Sequence, residues 1–345
     1  MKINKSELQE ALEKVKWGLA QKEIIEQSTS FAFVDNKVIT YNDEISISHP
    51  VKGLNITGAI KADEFYQFLN RIPQKQEEIN IEQEENQLLV TAKRAKAGFV
   101  LQKEIVLPIE EIGEITKWKK LPEGFIEGLD FCRLSCSKDM SRPVLTCLHI
   151  QKNGIIKASD GFQLTTCQLA KGVPVASFLF PASLAAILSR YSITQIAEGT
   201  GWVHFQTDDG TILSCRIFSE NYPEVSRILA VEGTTIKLPA KLNKVLERAE
   251  IFAKKEFDRD TEVTVQIADE HMQISARSDF GWFKESLRIQ YKEDPIAFRI
   301  HPGFLARMLD KVQKGVVGHD RIKFEGENWA HVLILVTVKD IEEEK

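Results

Sequence analysis

The sequence has no hydrophobic run long enough to cross a bilayer. Its longest apolar stretches are 176–188, which Pro181 interrupts, and 332–338. Neither approaches the roughly 20 residues that a membrane-spanning helix needs. No secretory signal is recognised either, because Met1 leads directly into an amphipathic pattern over residues 8–15. Both absences predict a protein without membrane contact.

Cysteine is scarce and unevenly placed. The five cysteines all lie in the middle third of the chain, at Cys132, Cys136, Cys147, Cys167 and Cys215. Their number is odd and no C-x-x-C pair occurs, so disulfides are not expected and a reducing cytoplasm is the simpler setting. Cys132 and Cys136 are spaced to share a helix face. We favour buried small hydrophobic residues there over metal ligands.

Neither sign of charge is in large excess. The formal net charge is −5, which argues against a wholly basic nucleic-acid coat and leaves a local basic surface open. Hydrophobic residues make up 43% and charged residues 28% of the 345 positions, as in ordinary soluble proteins. The length predicts two or three domains.

What the chain does contain is a pattern that occurs three times. It runs K-S-E-L-Q-E-A-L from Lys5, P-E-G-F-I-E-G-L from Pro122 and P-A-K-L-N-K-V-L from Pro239, in steps of 117 residues. Its fourth and eighth positions are always large and apolar: Leu8 and Leu12, Phe125 and Leu129, Leu242 and Leu246. This spacing predicts one amphipathic helix in each copy.

A second helical element repeats almost in phase with the first. Its copies begin at Ile60, Phe180 and Ile300, and they place Ala62, Pro181 and Pro302 at steps of 119 and 121 residues. The chain is therefore predicted to hold three copies of one domain, at 1–119, 120–235 and 236–345. Four prolines are expected in first helical turns, where a missing N–H costs little: Pro122, Pro181, Pro239 and Pro302.

Between the helices, alternating and β-branched apolar runs predict strands. In the first copy these runs are 31–34, 38–41, 45–48, 88–92 and 99–106. Similar runs, separated by turn signals, occupy the other two copies. Two amphipathic helices packed on antiparallel sheet give each copy an α+β fold class.

One helix-end position is basic in all three copies. Arg71, Arg190 and Lys311 each follow by six residues the apolar position of Phe65, Leu184 and Leu305. A single cation at a helix end usually just complements the helix dipole. Because the placement repeats, we predict a positive surface that holds a phosphate backbone without reading bases.

Motifs for catalysis are weak or incomplete. Gly199-Thr-Gly201 lacks a third glycine, and Ser135-Cys-Ser-Lys138 lacks its companion motifs. His319-Asp320 is an isolated pair that no other cluster supports as a metal site. No catalytic residue, metal or cofactor is therefore expected. An enzyme that uses His319 and Asp320 is kept as a rival hypothesis.

Two loops carry further signals. Residues 158–164 read A-S-D-G-F-Q-L, and residues 222–229 read Y-P-E-V-S-R-I-L. Taken alone, the first fits an ordinary hairpin with a D-G turn and the second fits an interdomain connector. Together with Arg142-Pro-Val-Leu145 and the segment 298–309, they resemble the β-type sliding clamp (processivity factor) of bacterial DNA polymerase III. The resemblance covers nearly the whole chain.

The resemblance implies a head-to-tail homodimer, a ring of six similar domains around duplex DNA, in the cytoplasm of a bacterium or an infected host. It places the interface between Phe99 in the first domain and Ile251 and Phe252 in the third. The family match gives Lys22, Arg142 and Arg190 as DNA-facing residues, and the repeat position adds Arg71 and Lys311.

The family binds its clients, a DNA polymerase and a clamp loader among them, through short peptides in an apolar pocket. The match carries this pocket to Leu145, Ser159, Gly161, Phe162, Gln163, Leu164, Pro223, Arg227, Ile228, Phe257, His301, Phe304, Ile334, Leu335 and Val336. The sequence therefore predicts a non-enzymatic DNA clamp. A clamp-like adaptor that binds clients without encircling DNA is the alternative.

Three departures from the family pattern favour a divergent clamp, of the kind a phage or plasmid would encode. Phe162-Gln163 replaces the family's H-R, and Ala182-Ser183 replaces a basic pair at the start of the fourth helix. Residues 334–338, I-L-V-T-V, replace M-P-M-R-L and lead into an acidic extension. We expect a different client peptide and weaker DNA contact.

Overall fold

The chain folds into two compact units. In the computed structural model, the described residues are 1–73, 77–113, 115, 117–255 and 260–337. The first unit comprises Met1–Asp130, Ile150–Asn153 and Ala170–Glu220, and the second comprises Phe131–His149, Gly154–Leu169 and Asn221–Lys345. The acidic tail from residue 338 onward lies outside the described residues.

The described residues form six α-helices, two within each predicted copy. They are α1 (Lys5–Val15), α2 (Ala62–Arg71), α3 (Phe125–Arg133), α4 (Ala182–Leu188), α5 (Leu242–Ala253) and α6 (Pro302–Leu309). The six apolar positions of the first repeat are confirmed as core, because Leu8, Leu12, Phe125, Leu129, Leu242 and Leu246 are all at most 1% exposed. The equivalent position of the second repeat, held by Phe65, Leu184 and Leu305, is also buried.

The strands of the first predicted copy are β1 (Lys2–Asn4), β2 (Ser30–Val34), β3 (Lys37–Tyr41), β4 (Ile45–Pro50), β5 (Gly58–Lys61), β6 (Glu78–Glu84), β7 (Gln87–Ala92) and β8 (Ala95–Val100). Those of the second are β9 (Lys119–Lys120), β10 (Cys147–Ile150), β11 (Ile155–Ser159), β12 (Gln163–Gln168), β13 (Phe178–Pro181), β14 (Ile193–Glu198), β15 (Trp202–Thr207) and β16 (Ile212–Arg216). Those of the third are β17 (Thr234–Lys237), β18 (Val263–Ala268), β19 (His271–Ser278), β20 (Gly281–Arg288), β21 (Ile296–Ile300), β22 (Lys314–Val317), β23 (Arg321–Glu325), β24 (Trp329–Ile334) and β25 (Val336–Thr337).

Two antiparallel sheets build the first unit. One has the order β1-β6-β7-β8, and the other has the order β5-β2-β3-β4-β16-β15-β14-β9. Helix α1 packs against β3 and β4 and also contacts α2. The larger sheet is continuous because β4 of the first copy pairs with β16 of the second.

The second unit has the same organisation. One sheet contains β10-β11-β12-β24-β23-β22-β17 in that order, and the other has the order β20-β19-β18-β21-β25. Helix α5 packs on β19 and β20 and against α6. Here β12 of the second copy pairs with β24 of the third, so the sheet again crosses a predicted domain boundary.

The α+β fold class is confirmed, with helices packed on antiparallel sheets. The boundaries 1–119, 120–235 and 236–345 stay a prediction, because the joined sheets make two units that each combine strands of successive copies. No helix in the described part of the chain is both long enough and apolar enough to cross a membrane.

Two local predictions were wrong. The run 99–106 is not one strand, since β8 ends at Val100 and Gln102 makes only an isolated bridge to Ala59. Of the four prolines predicted in first helical turns, only Pro302 lies in one; Pro181 is the N-cap residue of α4, and Pro122 and Pro239 lie three residues ahead of α3 and α5. Their carbonyls accept hydrogen bonds from the N–H groups of the first helical residues, so each proline closes a turn that leads into the helix.

A buried polar chain links the second unit's larger sheet to the segment that follows α3. His331 Nδ1 lies 2.7 Å from Thr165 Oγ1, which in turn lies 2.5 Å from Ser135 Oγ. The other ring nitrogen of His331 has no hydrogen-bond partner among the described residues. Burial, reinforced by the positive charge of Arg307, lowers the pKa of His331 to about 3. The ring is therefore neutral in the folded protein at neutral pH.

This histidine predicts a loss of stability in mild acid. Between pH 3 and about 6.5 the unfolded state binds a proton that folded His331 does not, so the free energy of unfolding falls as the pH falls through that window. His204, whose pKa burial lowers to about 4, acts in the same direction. We expect His331→Asn to reduce the slope by up to about 1.4 kcal/mol per pH unit, measured by urea unfolding at pH 5 and pH 7.

The exposed His271→Asn variant is the control and should keep the wild-type slope. Equal slopes for His331→Asn and the wild type would show that His331 is not the group that titrates.

Candidate functional site

The D-G turn of the β11–β12 hairpin is the first part of the predicted peptide pocket. Gly161 has φ +94°, which confirms the left-handed conformation expected of the glycine. Asp160 Oδ1 accepts hydrogen bonds from the N–H groups of Phe162 and Gln163, at 2.8 and 2.9 Å. Ser159 Oγ donates to the carbonyl oxygen of Gln163, 2.7 Å away. These bonds fix the turn and present Phe162 outward.

Gln163 connects this turn to helix α6. Its Nε2 donates to Asp160 Oδ2 at 2.7 Å, and its Oε1 accepts from Arg307 Nη2 at 2.9 Å. Arg307 Nη1 also donates to the carbonyl oxygen of Leu134 at 3.0 Å. The family's cation at position 163 is thus absent, but α6 brings a guanidinium to the same place. Arg307 was not among the residues predicted for this site.

An exposed apolar face lies beside the turn. The exposed fractions of Phe162, Ile334 and Val336 are 47%, 45% and 40%. The N–H of Ile334 donates to the carbonyl oxygen of Phe162 at 2.9 Å, so these two side chains belong to adjacent backbone segments. Apolar side chains left in water at the mouth of a site are the usual anchors for a peptide.

The start of α6 holds two more of the predicted pocket residues. His301 Nδ1 accepts a hydrogen bond from the N–H of Phe304 at 3.3 Å and so caps the helix. The two rings stack with centroids 4.0 Å apart, and Arg307 Cζ lies 5.0 Å from the Phe304 ring. The result is a stacked pair of rings with the Arg307 guanidinium over Phe304.

The remaining predicted pocket residues differ in what they can contact. Leu164 and Leu335 are only 1% and 4% exposed, so they support the site from within instead of touching a ligand. Pro223 and Arg227 are exposed, and Leu145 and Ile228 are half-buried, all within the second unit. Phe257 lies outside the described residues. The pocket assignment as a whole stays a prediction.

All five cations predicted to face DNA are exposed: Lys22, Arg71, Arg142, Arg190 and Lys311. None of them forms an ion pair with an acidic residue in the part of the chain that the structure describes. Other basic residues on helix faces differ. Lys14 forms an ion pair with Glu10, and Arg248 forms three hydrogen bonds with Glu285.

Two of the repeat-position cations rest on aromatic rings. Arg190 Cζ lies 4.0 Å from the centroid of Trp17, and Lys311 Nζ lies 4.6 Å from that of Phe131. A ring holds a cation in place without neutralising its charge, so its N–H donors stay available for a phosphate. Trp17 also lines a cavity of about 530 Å³ with Arg190 and Tyr191. The sequence analysis missed both rings, because no spacing rule joins residues so far apart.

The third cation of the set has a different setting. Arg71 ends α2 and lines a cavity of about 560 Å³ whose other walls include Phe68 and Ile72.

Arg142, which is not a repeat-position cation, lies beside the D-G turn, since a Cβ placed on Gly161 would be 3.9 Å from its Nη1.

One predicted interface residue, Phe99, lies on an edge strand, and the other two, Ile251 and Phe252, lie on helix α5. Phe99 is half-buried on β8, the last strand of its sheet, and its ring contacts Phe65 and Phe68 of α2. Ile251, at the end of α5, is 70% exposed. Its neighbour Phe252 stacks on Phe283 of β20, with ring centroids 6.1 Å apart. Their role in an interface stays a prediction.

The carboxylate of the rival metal or catalytic site, Asp320, is already occupied by a neighbouring side chain. Both carboxylate oxygens of Asp320 accept bonds from Arg321, at 2.7 and 2.6 Å, which lowers the pKa of that carboxyl. No group of three or more metal-ligating side chains occurs among the described residues. Burial raises the pKa of the Cys132 and Cys136 thiols, as expected for packed hydrophobic residues.

No protein-family model and no curated protein sequence matches the chain. Its fold does match solved structures. The DNA polymerase III subunit beta from Pseudomonas aeruginosa matches with a TM-score of 0.84 at 14% identity, over 98% of this chain and 100% of that one. The beta chain of DNA polymerase III from Streptococcus pneumoniae gives a TM-score of 0.84 at 17% identity, over 98% and 99%.

A DNA polymerase sliding clamp from Bacillus subtilis matches with a TM-score of 0.82 at 15% identity, over 98% of each chain. The chain has the sliding-clamp fold. The resemblance seen in the sequence is therefore confirmed at the level of fold, and the low identities agree with a divergent example.

Proposed function

We propose that this protein is a DNA sliding clamp, a non-enzymatic ring that encircles duplex DNA and tethers a polymerase to it. The near-full-length likeness in fold to sliding clamps carries the proposal. It is supported by the three exposed cations at one repeat position, which have no acidic partner in the described part of the chain.

In the proposed assembly, two copies of the chain join head to tail and six repeated domains form the ring. The first domain (1–119) meets the partner's third domain (236–345), with 120–235 between them in each chain. Phe99 would meet Ile251 and Phe252 across this interface. Pairing of open sheet edges supports the arrangement, because an exposed edge otherwise invites association with other chains.

Retention on DNA would follow from topology. A closed ring cannot leave the duplex sideways, so its contacts with phosphate need only be loose and water-mediated to permit sliding. Cations held by aromatic rings suit this task, because their charge is not cancelled by a neighbouring carboxylate. No side chain of the protein needs to react.

We further propose that client proteins, a DNA polymerase and a clamp loader, insert a short peptide into the face made by Phe162, Ile334, Val336 and Phe304. The exposure of Phe162, Ile334 and Val336 supports this assignment. The protein would act in the bacterial or infected-host cytoplasm, where its DNA and polymerase are found.

A second candidate is a clamp-like adaptor that binds clients without encircling DNA. Neutral residues at Gln163, Ala182 and Ser183, where the family pattern is basic, favour it. The deciding experiment measures retention of labelled protein on a nicked circular DNA, after loading, before and after linearisation by a restriction enzyme. A ring should slide off the linear ends within minutes and stay on the circle. Equal retention on both forms would reject the ring.

Neutralising the three repeat-position cations should weaken DNA retention. For the triple variant Arg71→Gln, Arg190→Gln and Lys311→Gln, we expect faster loss from circular DNA. The slope of log affinity against log salt should also become shallower, by roughly 0.9 for each phosphate contact removed. If retention and the salt slope stay unchanged, these three residues do not contact DNA.

A matched control removes the same charge at cations that already have acidic partners. Lys16, Arg216 and Arg248 pair with Glu13, Asp43 and Glu285. Their triple substitution by Gln should leave the salt slope nearly unchanged. An equal effect of both triple variants on the salt slope would mean that DNA binding depends on the net charge of the protein and not on these positions.

The peptide face should be separable from DNA binding. We expect Phe162→Ala and Ile334→Ala each to weaken a peptide from the cognate polymerase by about 1–2 kcal/mol, because each removes an exposed apolar anchor. Fluorescence anisotropy with a labelled peptide measures this, and retention on circular DNA should not change. The exposed Ile24→Ala is the control. Wild-type peptide affinity in both variants would place the site elsewhere.

A further inference from the structure

Three polar side chains of the second unit lie together without the partners that buried polar groups normally have. Lys157 lies on β11, His149 lies on the neighbouring strand β10, and Tyr222 begins the segment 222–229. The rings of His149 and Tyr222 are tilted by 34° with centroids 5.3 Å apart, and Lys157 Nζ lies 5.9 Å from the centroid of Tyr222. We call these three residues the Lys157 cluster.

Lys157 is the charged member of the cluster and is only 8% exposed. Lysine is almost never buried to this extent unless its charge is paired. In the part of the chain that the structure describes, however, its ammonium forms neither a hydrogen bond nor an ion pair, and it lies over the Tyr222 ring. The ring attracts the cation but supplies no oxygen acceptor for its three protons.

The other two members each hold a buried polar atom that lacks a partner. Tyr222 Oη and His149 Nδ1 form no hydrogen bond with any described residue. The N–H of Ser159 approaches Oη without completing a hydrogen bond, and the hydroxyl proton has no acceptor. Burial raises the pKa of Tyr222 and lowers the pKa of His149, so both side chains are neutral near pH 7.

The missing partner of this cluster is a hydrogen-bond acceptor. An ammonium can only donate, a phenolic hydroxyl has one proton to donate, and a neutral imidazole donates from Nδ1 in one of its two tautomers. Native proteins leave few buried polar groups unpaired, so three such groups in one place indicate a binding site for something that the chain itself does not supply.

The charge of the surroundings selects the kind of acceptor. Lys157 provides one positive charge, and the exposed Glu224 lies near enough for that charge to act on its carboxyl. The pKa of Glu224 is lowered by its hydrogen bonds with Ser226 and further by Lys157. Glu224 Oε1 accepts from the N–H of Ser226 at 2.7 Å and forms no ion pair with Lys157. A carboxylate matches a single ammonium, whereas a doubly charged phosphate would be repelled by Glu224.

The cluster adjoins the predicted peptide pocket. Lys157 and Ser159 are two residues apart on β11, so their side chains share one face of the sheet about 7 Å apart. Tyr222 directly precedes Pro223. Ser159 and Pro223 are both predicted pocket residues, whereas no member of the Lys157 cluster was predicted to be one.

We propose that Lys157, Tyr222 and His149 form a subsite for one carboxylate of the client peptide. Lys157 Nζ and Tyr222 Oη donate to the carboxylate oxygens, and His149 Nδ1 donates to them in the tautomer that carries its proton there. The inference rests on the proposed peptide function and adds a chemical feature of the client, which is an acidic side chain or a free C-terminal carboxylate.

Such a subsite gives specificity as well as affinity. A neutral amide of the same shape would leave the buried ammonium without a charge partner, and sites built to hydrogen-bond one group strongly reject analogues that cannot do so. Apolar anchors on the neighbouring peptide face accept many sequences, so the carboxylate is the feature that distinguishes a client from another apolar peptide.

Paired peptides test this specificity. Fluorescence anisotropy compares a labelled peptide from the cognate polymerase with versions in which each Asp or Glu is changed in turn to Asn or Gln. A further version carries a C-terminal amide. We expect one of these changes to weaken binding roughly tenfold or more, because it removes a charged hydrogen-bond acceptor. Which version is weakened distinguishes a side-chain carboxylate from a terminal one. Equal affinity of all versions would overturn the proposal.

The variant Lys157→Met assigns the effect to this cluster, because it removes the ammonium and keeps a stem of similar length. It should bind the native peptide no better than the weakened version and should no longer distinguish the two. Lys292→Met removes the same charge from an exposed position of the same unit and should behave as the wild type. If Lys157→Met still distinguishes the two peptides, the carboxylate is bound elsewhere and the assignment is wrong.

Stability without peptide gives a readout that a purely structural role would move in the opposite direction. We expect Lys157→Met and Tyr222→Phe to have urea midpoints equal to or above that of the wild type, because each removes a buried polar group that has no partner. Tyr291→Phe is the control. Its Oη donates to the carbonyl oxygen of Asp294 at 2.5 Å, so the midpoint should fall. Lower midpoints for Lys157→Met and Tyr222→Phe would show that these groups are paired within the protein and would contradict the proposal.

The failure of this subsite and the failure of the proposed function give different results. A wild type that binds no version of the peptide would overturn the peptide function together with the subsite. A wild type that binds all versions equally would keep the peptide function and overturn only the subsite. Retention on circular DNA, measured in parallel, should be unchanged in Lys157→Met, because this lysine is not among the cations assigned to DNA.

Discussion

Pairing of sheet edges is the constraint on which this structure depends. Each copy of the repeat has one strand at either end whose outer edge needs a partner, and within the chain the next copy supplies it. The pairs β4–β16 and β12–β24 turn small sheets into continuous ones, so the compact units combine strands of successive copies. The first and last edges of the series, β8 and β20, have no partner strand among the described residues of the chain.

The same repetition puts an exposed cation at one position of each copy. The second helix of each copy buries one apolar residue, which is Phe65, Leu184 or Leu305. Six residues later, at or just beyond the end of the helix, an exposed cation follows. Elsewhere on the helices, cations such as Arg248 are neutralised by carboxylates. The chain as a whole is acidic, so an attractive surface for phosphate depends on cations that lack such partners. Aromatic support at Trp17 and Phe131 keeps two of them in that state.

Much of the fold could be predicted from the sequence, because the two amphipathic helix patterns recur along the chain at nearly constant intervals. Leu8, Phe125 and Leu242 were recognised as core from spacing alone, and they are buried. Short strands such as β5, β13 and β21 were missed, since four or five residues give little periodic signal. The burial of Leu164 and the stacking of Arg190 on Trp17 were also missed. Both depend on contacts between distant segments, which spacing within one segment does not encode.

The departures from the family pattern are easier to understand once such contacts are known. Gln163 stands where the family has a cation, yet Arg307 Nη2 lies 2.9 Å from its side-chain oxygen. A guanidinium from helix α6 therefore lies beside this neutral residue. Helix α4 (Ala182–Leu188) contains no basic residue. The next one in the sequence is Arg190, which lies beyond the helix end. The neutral residue at position 163 thus has a cation beside it, whereas α4 contains none of its own.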